Sequence, residues 1–588
     1  MSQRIEQSRP PDRVWPPPRR LEHRPGEIRV TGALDAAVRS ETNASLPREG
    51  YRLAIDAGGI TLASASPAGD FYGRQTLRQL ARDDDGATLL PFVAIEDEPL
   101  FDVRGVMLDV SRDKVPTMET LRSLLRRFAH WKLNHVELYV EHTFAYPGHE
   151  VVWEGTSALT PDEVRELDRL ARELHIDLVP NQQSFGHMHH WLVHERYRDL
   201  AEVPEGVRHP FAIEPEPFSL CPTDPRSLEL LAGLYDALLP CFSSTSFNVG
   251  LDETFDLGQG RSRAACEERG TDVVYVEFLT AVQRLVAERG RRMLFWADVV
   301  LEHPESIAHL PKDSVPILWG YDAAHPFEAQ TRALAESGLE YWVCPGTSSW
   351  QSFAGRTPNA HANLKRAAHW GAAHGARGYL IADWGDRGHH QPLFASELGW
   401  LVGAGCAWGG ADTAGDSARQ HAARLSRLAF DDPSGILGSV AVGLGEIAEL
   451  CRAGSSNGSP LFFLLSFAHE AFPHERFPSL SREGLADADA RLDELERELD
   501  AAPADHPTAR ECRWALEMLR FSTAFGRARL DSPEAEVGGL PEEVRARLAA
   551  ALEPLIEEHR RVWLTRHRPG GLERSSGWLE RVLEGLGR

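Results

Sequence analysis

From about residue 101 the chain alternates short apolar runs with amphipathic stretches, and this alternation predicts eight βα units. The runs lie at 105–111, 135–142, 177–184, 247–254, 293–299, 316–322, 341–347 and 378–385. The helices between them carry chemical start signals. Thr160-Pro161-Asp162-Glu163 offers a capping hydroxyl, a proline in the first turn and a reciprocal carboxylate, and Val164, Leu167, Leu170, Ala171 and Leu174 then recur at helical spacing. Asp224-Pro225 opens another helix in the same way, and Gly290 closes the one containing Phe278 and Leu285.

Eight such units in about 310 residues predict a closed (β/α)8 barrel rather than an open doubly wound sheet. No GxGxxG follows the first strand, which weakens a dinucleotide-binding sheet further. The longest gap, between strands three and four, holds Glu202-Val203-Pro204-Glu205-Gly206 and Pro215-Glu216-Pro217 and reads as a rim loop or lid. Ahead of the barrel, 50–56 and 58–62 alternate like half-buried strands and a helix follows at 70–80; this reads as a small α/β domain. Beyond residue 411 the pattern is helical, with long charged amphipathic helices at 485–499 and 541–564. The expected division is therefore 1–97, an N-terminal α/β domain; 98–410, the barrel; and 411–588, a helical domain leaning on the barrel or on a second subunit. The basic motif Arg566-His567-Arg568-Pro569-Gly570-Gly571 reads as a turn between helices.

Charge narrows the range of partners. Against 63 Lys plus Arg stand 87 Asp plus Glu, a net charge of -24, which removes the basic footprint that nucleic acid or an anionic membrane needs. No apolar run is long enough to cross a bilayer. The first residues are polar and proline-rich without an apolar signal core, so a cytoplasmic protein is expected. Seven cysteines with no close pair argue against a disulfide framework or a zinc cluster and are expected to be reduced and mostly buried.

In such a barrel chemistry sits at the C-terminal strand ends. Strand four ends in Asp252-Glu253; the ends of strands five to eight bring Trp296, Trp319, Trp350 and Trp384, with Asp383 and Asp386 on the last. Tryptophans around carboxylates suit a sugar, whose C–H faces pack on aromatic rings while its hydroxyls need charged partners. Consecutive strand residues face opposite ways, so Asp252 and Glu253 can share one pocket only where the strand ends. His187, Met188, His189, His190 and His194 form a histidine-rich run. No glutamate lies between His190 and His194 as in HExxH, so the expectation is a pocket residue, His187, with the other histidines on a solvated helix rather than a metal site.

The run Arg104-Gly105-Val106-Met107-Leu108-Asp109-Val110-Ser111-Arg112, Phe185-Gly186-His187 and the Asp252-Glu253 pair resemble glycoside hydrolase family 20, the β-N-acetylhexosaminidases, over roughly residues 50–410. The resemblance is nearer to the intracellular hexosaminidase D-like branch. It implies exo-acting retaining hydrolysis of terminal β-linked N-acetylglucosamine or N-acetylgalactosamine, with the substrate's own acetamido oxygen as nucleophile and an oxazolinium intermediate. Residue by residue, it implies Glu253 as acid/base, Asp252 on the acetamido N–H, and His187 near the acid. Trp296 and Trp319 would wall the acetamido pocket, and Trp384 with Asp386 would hold the sugar's floor and outer hydroxyls. It also matches Arg104 to the arginine that grips the 3- and 4-hydroxyls, although Arg104 precedes its apolar run, where a salt-bridge partner at the barrel's bottom is expected.

The chain departs from the family pattern at four places. The usual His-x-Gly-Gly-Asp-Glu reads Asn248-Val249-Gly250-Leu251-Asp252-Glu253, the acidic motif before His187 reads Asn181-Gln182-Gln183, and strand two carries Glu141-His142. Strand seven, around Trp350, lacks the expected tyrosine, for which Tyr321 is the candidate substitute. The implied partner is an oligosaccharide or glycoconjugate ending in β-N-acetylhexosamine, acted on by a monomer or homodimer without metal or organic cofactor. Two other readings stand beside this one: an ordinary two-carboxylate glycosidase with Glu141 or Asp386 as nucleophile, and a catalytically silent sugar-binding protein.

Overall fold

The computed structural model describes residues 13–210, 214–470, 472, 474–532 and 536–587. An N-terminal sheet comprises β1 (Arg20–Val30), β2 (Val38–Thr42), β3 (Tyr51–Asp56), β4 (Gly59–Ser64), β5 (Arg82–Asp84) and β6 (Ala87–Asp97), in the order β1-β6-β3-β4-β2 with β5 on β6. The alternation in β3 and β4 turns Tyr51, Leu53, Ile55, Ile60 and Leu62 onto the helix Pro67–Leu80, whose first turn is capped by the Ser66 hydroxyl. β1, RLEHRPGEIRV, is an edge strand exposed along almost its whole length, and so has no period-two apolar signal.

The expected barrel forms from eight parallel strands: β7 (Val103–Asp109), β8 (His135–Val140), β9 (Asp177–Gln182), β10 (Ser246–Asn248), β11 (Arg292–Trp296), β12 (Val315–Trp319), β13 (Trp342–Cys344) and β14 (Gly378–Asp383). β14 pairs with β7 and closes the ring. Each strand lies within its predicted range apart from one or two residues at its start, but ends earlier, because the polar residues that follow belong to the loops at the strands' C-terminal ends. Thr160 and Glu163 form the reciprocal cap, Asp224 caps Pro225–Leu238, and Gly290 turns with a φ of 68° after Thr271–Glu288.

Apolar side chains of Met107, Val179, Leu294, Ile317 and Leu380 fill the lumen. One charge lies among them. Glu137 is fully buried on β8 and accepts from Asn181 Nδ2 at 2.8 Å and Asn248 Nδ2 at 2.9 Å, with His135 Nε2 at 2.8 Å from its other oxygen. Asn181 and Asn248, both departures from the family pattern, thus serve as amide donors to a buried carboxylate.

The N-terminal sheet joins the barrel's underside through buried polar groups. Lys132 Nζ lies 2.9 Å from Asp97 and 3.0 Å from the Tyr51 hydroxyl, and Trp408 Nε1 donates to Asp97 at 2.9 Å. The C-terminal helices, among them Ile436–Leu450, Pro460–Ser466, Arg482–Leu499, Pro507–Asp531, Glu542–Arg566 and Leu572–Gly585, pack on the same chain's barrel. The basic turn after Arg566 docks there: Arg568 pairs with Glu163 at 2.8 Å, and Gly571 lies so close to Asp113 that a Cβ would stand 1.8 Å from its carbonyl oxygen. All seven cysteines are free and buried, as expected. Among the described residues no helix is long and apolar enough to cross a membrane.

Candidate active site

The strand ends converge on a funnel of about 780 Å³, open mouth included, lined by Asp252, Glu253, Trp296, Trp319, Tyr321, Trp350, Trp384 and Asp386. Each of these was selected from the sequence. The acid pair enters together because the backbone stops alternating after β10: Gly250, Leu251 and Glu253 take φ values of 72°, 74° and 50°. A leucine and a glutamate in the left-handed region are strained, and such strain gathers at functional sites. Gly250 is needed here twice over, since a Cβ would also sit 2.0 Å from Gln183 Oε1.

His187, itself at φ 54°, is fully buried and joins the pair: Nε2 lies 3.4 Å from Asp252 Oδ2 and 3.3 Å from Glu253 Oε2. Gly186 allows this approach, because a Cβ there would stand 2.5 Å from the Asp252 carbonyl. Burial works against the imidazolium, but Asp252 and Glu253 outweigh it and push His187 up to about 10. Burial likewise pushes the Asp252 carboxyl up, yet His187, a 2.7 Å hydrogen bond from Gln183 Nε2 and the nearby Arg112 hold it below its ordinary value. At neutral pH the site therefore contains an imidazolium beside an ionised Asp252. Behind His187, 3.8 Å from Nδ1, lies Glu141, buried and accepting from the Tyr139 hydroxyl at 2.9 Å.

The aromatic wall is cross-braced. Trp319 stacks on Tyr321 at 5.2 Å between centroids, Tyr321 meets Trp350 edge-on at 5.0 Å, and Trp384 Nε1 donates to the Tyr321 hydroxyl at 2.9 Å. That phenol already accepts a hydrogen bond, so its own proton is left to donate. Trp296 Nε1 has no acceptor among the described residues.

Three sequence expectations are corrected. Arg104 does not reach the funnel. It lies near the start of β7, five residues or roughly 16 Å of strand before Asp109. Its guanidinium is buried on the Lys132, Phe101 and Asp102 carbonyls, 2.7 Å from Glu49 and over the Tyr72 and Trp408 rings. Arg112, beyond the C-terminal end of the same strand, stands in the funnel instead. It is 2.8 Å from Asp386 and 3.3 Å from Glu141, with its guanidinium 4.6 Å from the Trp384 ring centre. The rule that barrel chemistry sits at strand C-termini singles out Arg112. Two of the histidines after His187 do not lie on a solvated face: His189 is buried and His190 half-buried beside Glu141, with burial holding both imidazoles well below their usual range. Asp383, at the end of β14, is tied into the wall by the hydroxyls of Thr347, Ser349 and Ser396 and does not line the funnel.

Several lining or supporting groups escaped the sequence. Asp298, two residues past Trp296, accepts from Glu253 N at 3.0 Å and from Trp319 Nε1 at 3.2 Å; burial, with Asp252 and Glu253 nearby, pushes its carboxyl well up. Its place just after a strand end is the signal that could have found it. Asn457 and Arg476 come from the C-terminal helical region, and nothing in the βα pattern points to them. The long segment between β9 and β10 forms a rim, closed by the Val207–Glu216 bridge, that reaches the funnel at Pro210; its residues 211–213 lie outside the described ones.

Two carboxylate groups, Glu141 with His189 and His190, and Asp252 and Glu253 with His187, have metal-compatible spacing. In the first, Arg574 lies 3.2 Å from His190 Nε2 and Arg112 3.3 Å from Glu141, so cationic side chains already occupy its surroundings.

Residues 19–98 match the second domain of glycosyl hydrolase family 20, and residues 101–370 match its catalytic domain. A β-hexosaminidase of Vibrio furnissii is 26% identical over 330 residues, 49% of this chain and 51% of that protein. Hexosaminidase D of Homo sapiens is 24% identical over 316 residues, 50% of this chain and 62% of that protein. The chain thus spans between half and two thirds of these relatives' length. The crystal structure of a Flavobacterium johnsoniae chitobiase shares the fold at 15% identity, with a TM-score of 0.59, covering 93% of this chain and 96% of that one. Matched across its N-terminal and barrel regions, with the Asp-Glu pair at the end of the fourth barrel strand, the chain belongs to glycosyl hydrolase family 20.

Proposed function

We propose that the protein is an exo-acting retaining β-N-acetylhexosaminidase that uses its substrate's acetamido group as nucleophile. The observation that carries this is the pairing of Asp252 and Glu253 in one tryptophan-walled funnel with His187 between them. In this reading the acetamido oxygen attacks the anomeric carbon as the bond to the leaving oxygen breaks, and Glu253 delivers its proton to that oxygen. Asp252, kept anionic by His187, holds the acetamido N–H and offsets positive charge on the forming oxazolinium ring. Glu253 then takes a proton from the water that opens the ring, restoring the β configuration. Tyr321, which has a hydroxyl proton to donate, would meet the acetamido oxygen in place of the missing strand-seven tyrosine. Arg112 and Asp386, ion-paired above the Trp384 face, would receive the sugar's outer hydroxyls.

An ordinary two-carboxylate mechanism is less well supported. Glu141 is fully buried behind His187, and Asp386 is held by Arg112. The test is hydrolysis of 4-nitrophenyl N-acetyl-β-glucosaminide by wild type and Glu253→Gln, together with the 2-hydroxy analogue and a thiazoline mimic of the intermediate. Expected are turnover that falls about 10²–10⁴-fold in the variant, scarcely any cleavage of the analogue, and inhibition by the thiazoline. Efficient cleavage of plain β-glucosides, or a stable adduct with a 2-fluoro sugar, contradicts the proposal.

A further inference from the structure

The strand order β10-β11-β12 puts the end of β11 between the strand ends that carry Glu253 and Trp319. β11 stops at Trp296, and Asp298, the first residue of the short helix Asp298–Glu302, reaches both neighbours. One oxygen accepts from the Glu253 backbone N–H at 3.0 Å, on the β10 side; the other accepts from Trp319 Nε1 at 3.2 Å, on the β12 side. Asp298 itself does not line the funnel. It stands on a neighbouring cleft of about 890 Å³ that shares Glu253 and Trp319 with it, so any effect of Asp298 on a bound sugar passes through those two residues. Glu253 needs a tie of this kind, because it is half-buried and its φ of 50° persists only where surrounding contacts impose it. Ahead of it the turn is held by the Leu251 N–H on Gln183 Oε1 at 3.4 Å and by the Tyr275 hydroxyl on the Leu251 carbonyl at 2.8 Å. At Glu253 the hold comes from Asp298. Burial and the charges of Asp252 and Glu253 work against an anion at 298, while the Glu253 and Trp319 N–H donors favour one. A third acid beside that pair is costly to bury, and a neutral side chain would pack more easily. What a carboxyl offers and an amide does not is two acceptors for two converging N–H groups.

We propose that Asp298 is a positioning residue that ties the proton donor to the tryptophan wall, fixing Glu253 and Trp319 at one spacing so that proton delivery and attack by the acetamido oxygen stay in register. The inference rests on the preceding reading, in which Glu253 protonates the leaving oxygen of a sugar held in the funnel that Trp319 also lines. A general acid displaced from its productive place slows the steps that need its proton and leaves the others nearly untouched.

The test measures kcat/KM, which reports the steps up to departure of the leaving group, for phenyl and 2,4-dinitrophenyl N-acetyl-β-glucosaminides. Phenoxide leaves poorly and needs the proton; 2,4-dinitrophenoxide leaves without it. Asp298→Asn sets an amide N–H against one of the two donors and is expected to lower kcat/KM about 10²-fold for the phenyl glycoside and less than about five-fold for the dinitrophenyl one. Asp298→Ala, which leaves a gap in place of a clash, is expected to show the same split and keeps the test open should Asp298→Asn fail to fold. Trp319→Phe removes one of the donors, so in that background the asparagine can turn its carbonyl oxygen to the Glu253 N–H and its own N–H away. There Asp298→Asn is expected to add less than about a three-fold loss for the phenyl glycoside. Equal losses for the two glycosides, or the same cost of Asp298→Asn with and without Trp319→Phe, overturn the proposal. If wild type hydrolyses neither glycoside, the glycosidase reading fails, and tryptophan-fluorescence titration with the thiazoline decides this proposal separately. Binding about ten-fold weaker in Asp298→Asn than in wild type supports it; equal binding, or none by wild type, overturns it.

Discussion

The two arginines at either end of β7 make different predictions, and Arg104→Met is the sharper of them. Its guanidinium is fully buried, donates to the carbonyls of Lys132, Phe101 and Asp102 at 2.9, 2.9 and 3.3 Å, and lies 2.7 Å from Glu49. Methionine replaces its volume but none of its donors. Losing one partner of a buried, hydrogen-bonded ion pair costs about 3–5 kcal/mol; Glu49 keeps some contact with water and regains part of its solvation, which places the expected loss near 3 kcal/mol. Against a total stability on the order of 5–15 kcal/mol this is a large fraction, and it falls on the contact between N-terminal sheet and barrel. Urea unfolding followed by tryptophan fluorescence should show the midpoint moving down, while KM measured well below the transition stays at the wild-type value. Arg112→Met also leaves a buried carboxylate, Glu141, without its cation, so its midpoint should fall too, but it should differ in activity: kcat/KM reduced about 10²–10³-fold because Asp386 loses its partner inside the funnel. If Arg104→Met left the unfolding midpoint in place and raised KM, the assignment of roles to the two arginines would be wrong.

His187 should make the fold sensitive to alkali. Its imidazole is raised from 6.5 to about 10, so the stabilisation it brings is complete below about pH 6.5 and lost as pH rises toward 10. Because its charge is shared with Asp252 and Glu253, roughly 2–4 kcal/mol is expected, read as a falling unfolding free energy between pH 7 and 10. That slope should be absent in His187→Asn, and an identical slope in the variant would contradict the assignment. Gly250→Ala should act through Gln183, because the new methyl meets its Oε1 and loosens its hold on Asp252. The expectation is a kcat about 10–100-fold lower with a stability loss of about 1–2 kcal/mol, and an alanine variant with full kcat would refute it.

The barrel was legible in the chain because each strand buries both faces and reads as a short apolar run, and because Thr160 and Asp224 mark helix starts by local chemistry that needs no tertiary context. The acid pair and the tryptophans were legible for a related reason: once a parallel barrel is inferred, strand C-termini and the catalytic face are the same place. Edge strand β1 was not, since a strand exposed on both faces carries no alternation.

Tertiary structure alone decided the rest. Which end of β7 opens on the funnel separates Arg104 from Arg112, and a resemblance spanning both residues does not by itself make that choice. Whether Asn181, Asn248 and Gln183 are losses or replacements depends on what lies across the lumen, where Glu137 and Asp252 accept their amides. Asn457 and Arg476 enter the funnel from segments between helices, more than seventy residues past the last barrel strand. Periodicity is a property of neighbours along the chain, so it reports elements and their faces; a site joins side chains distant in sequence, and only the folded packing settles which of them meet.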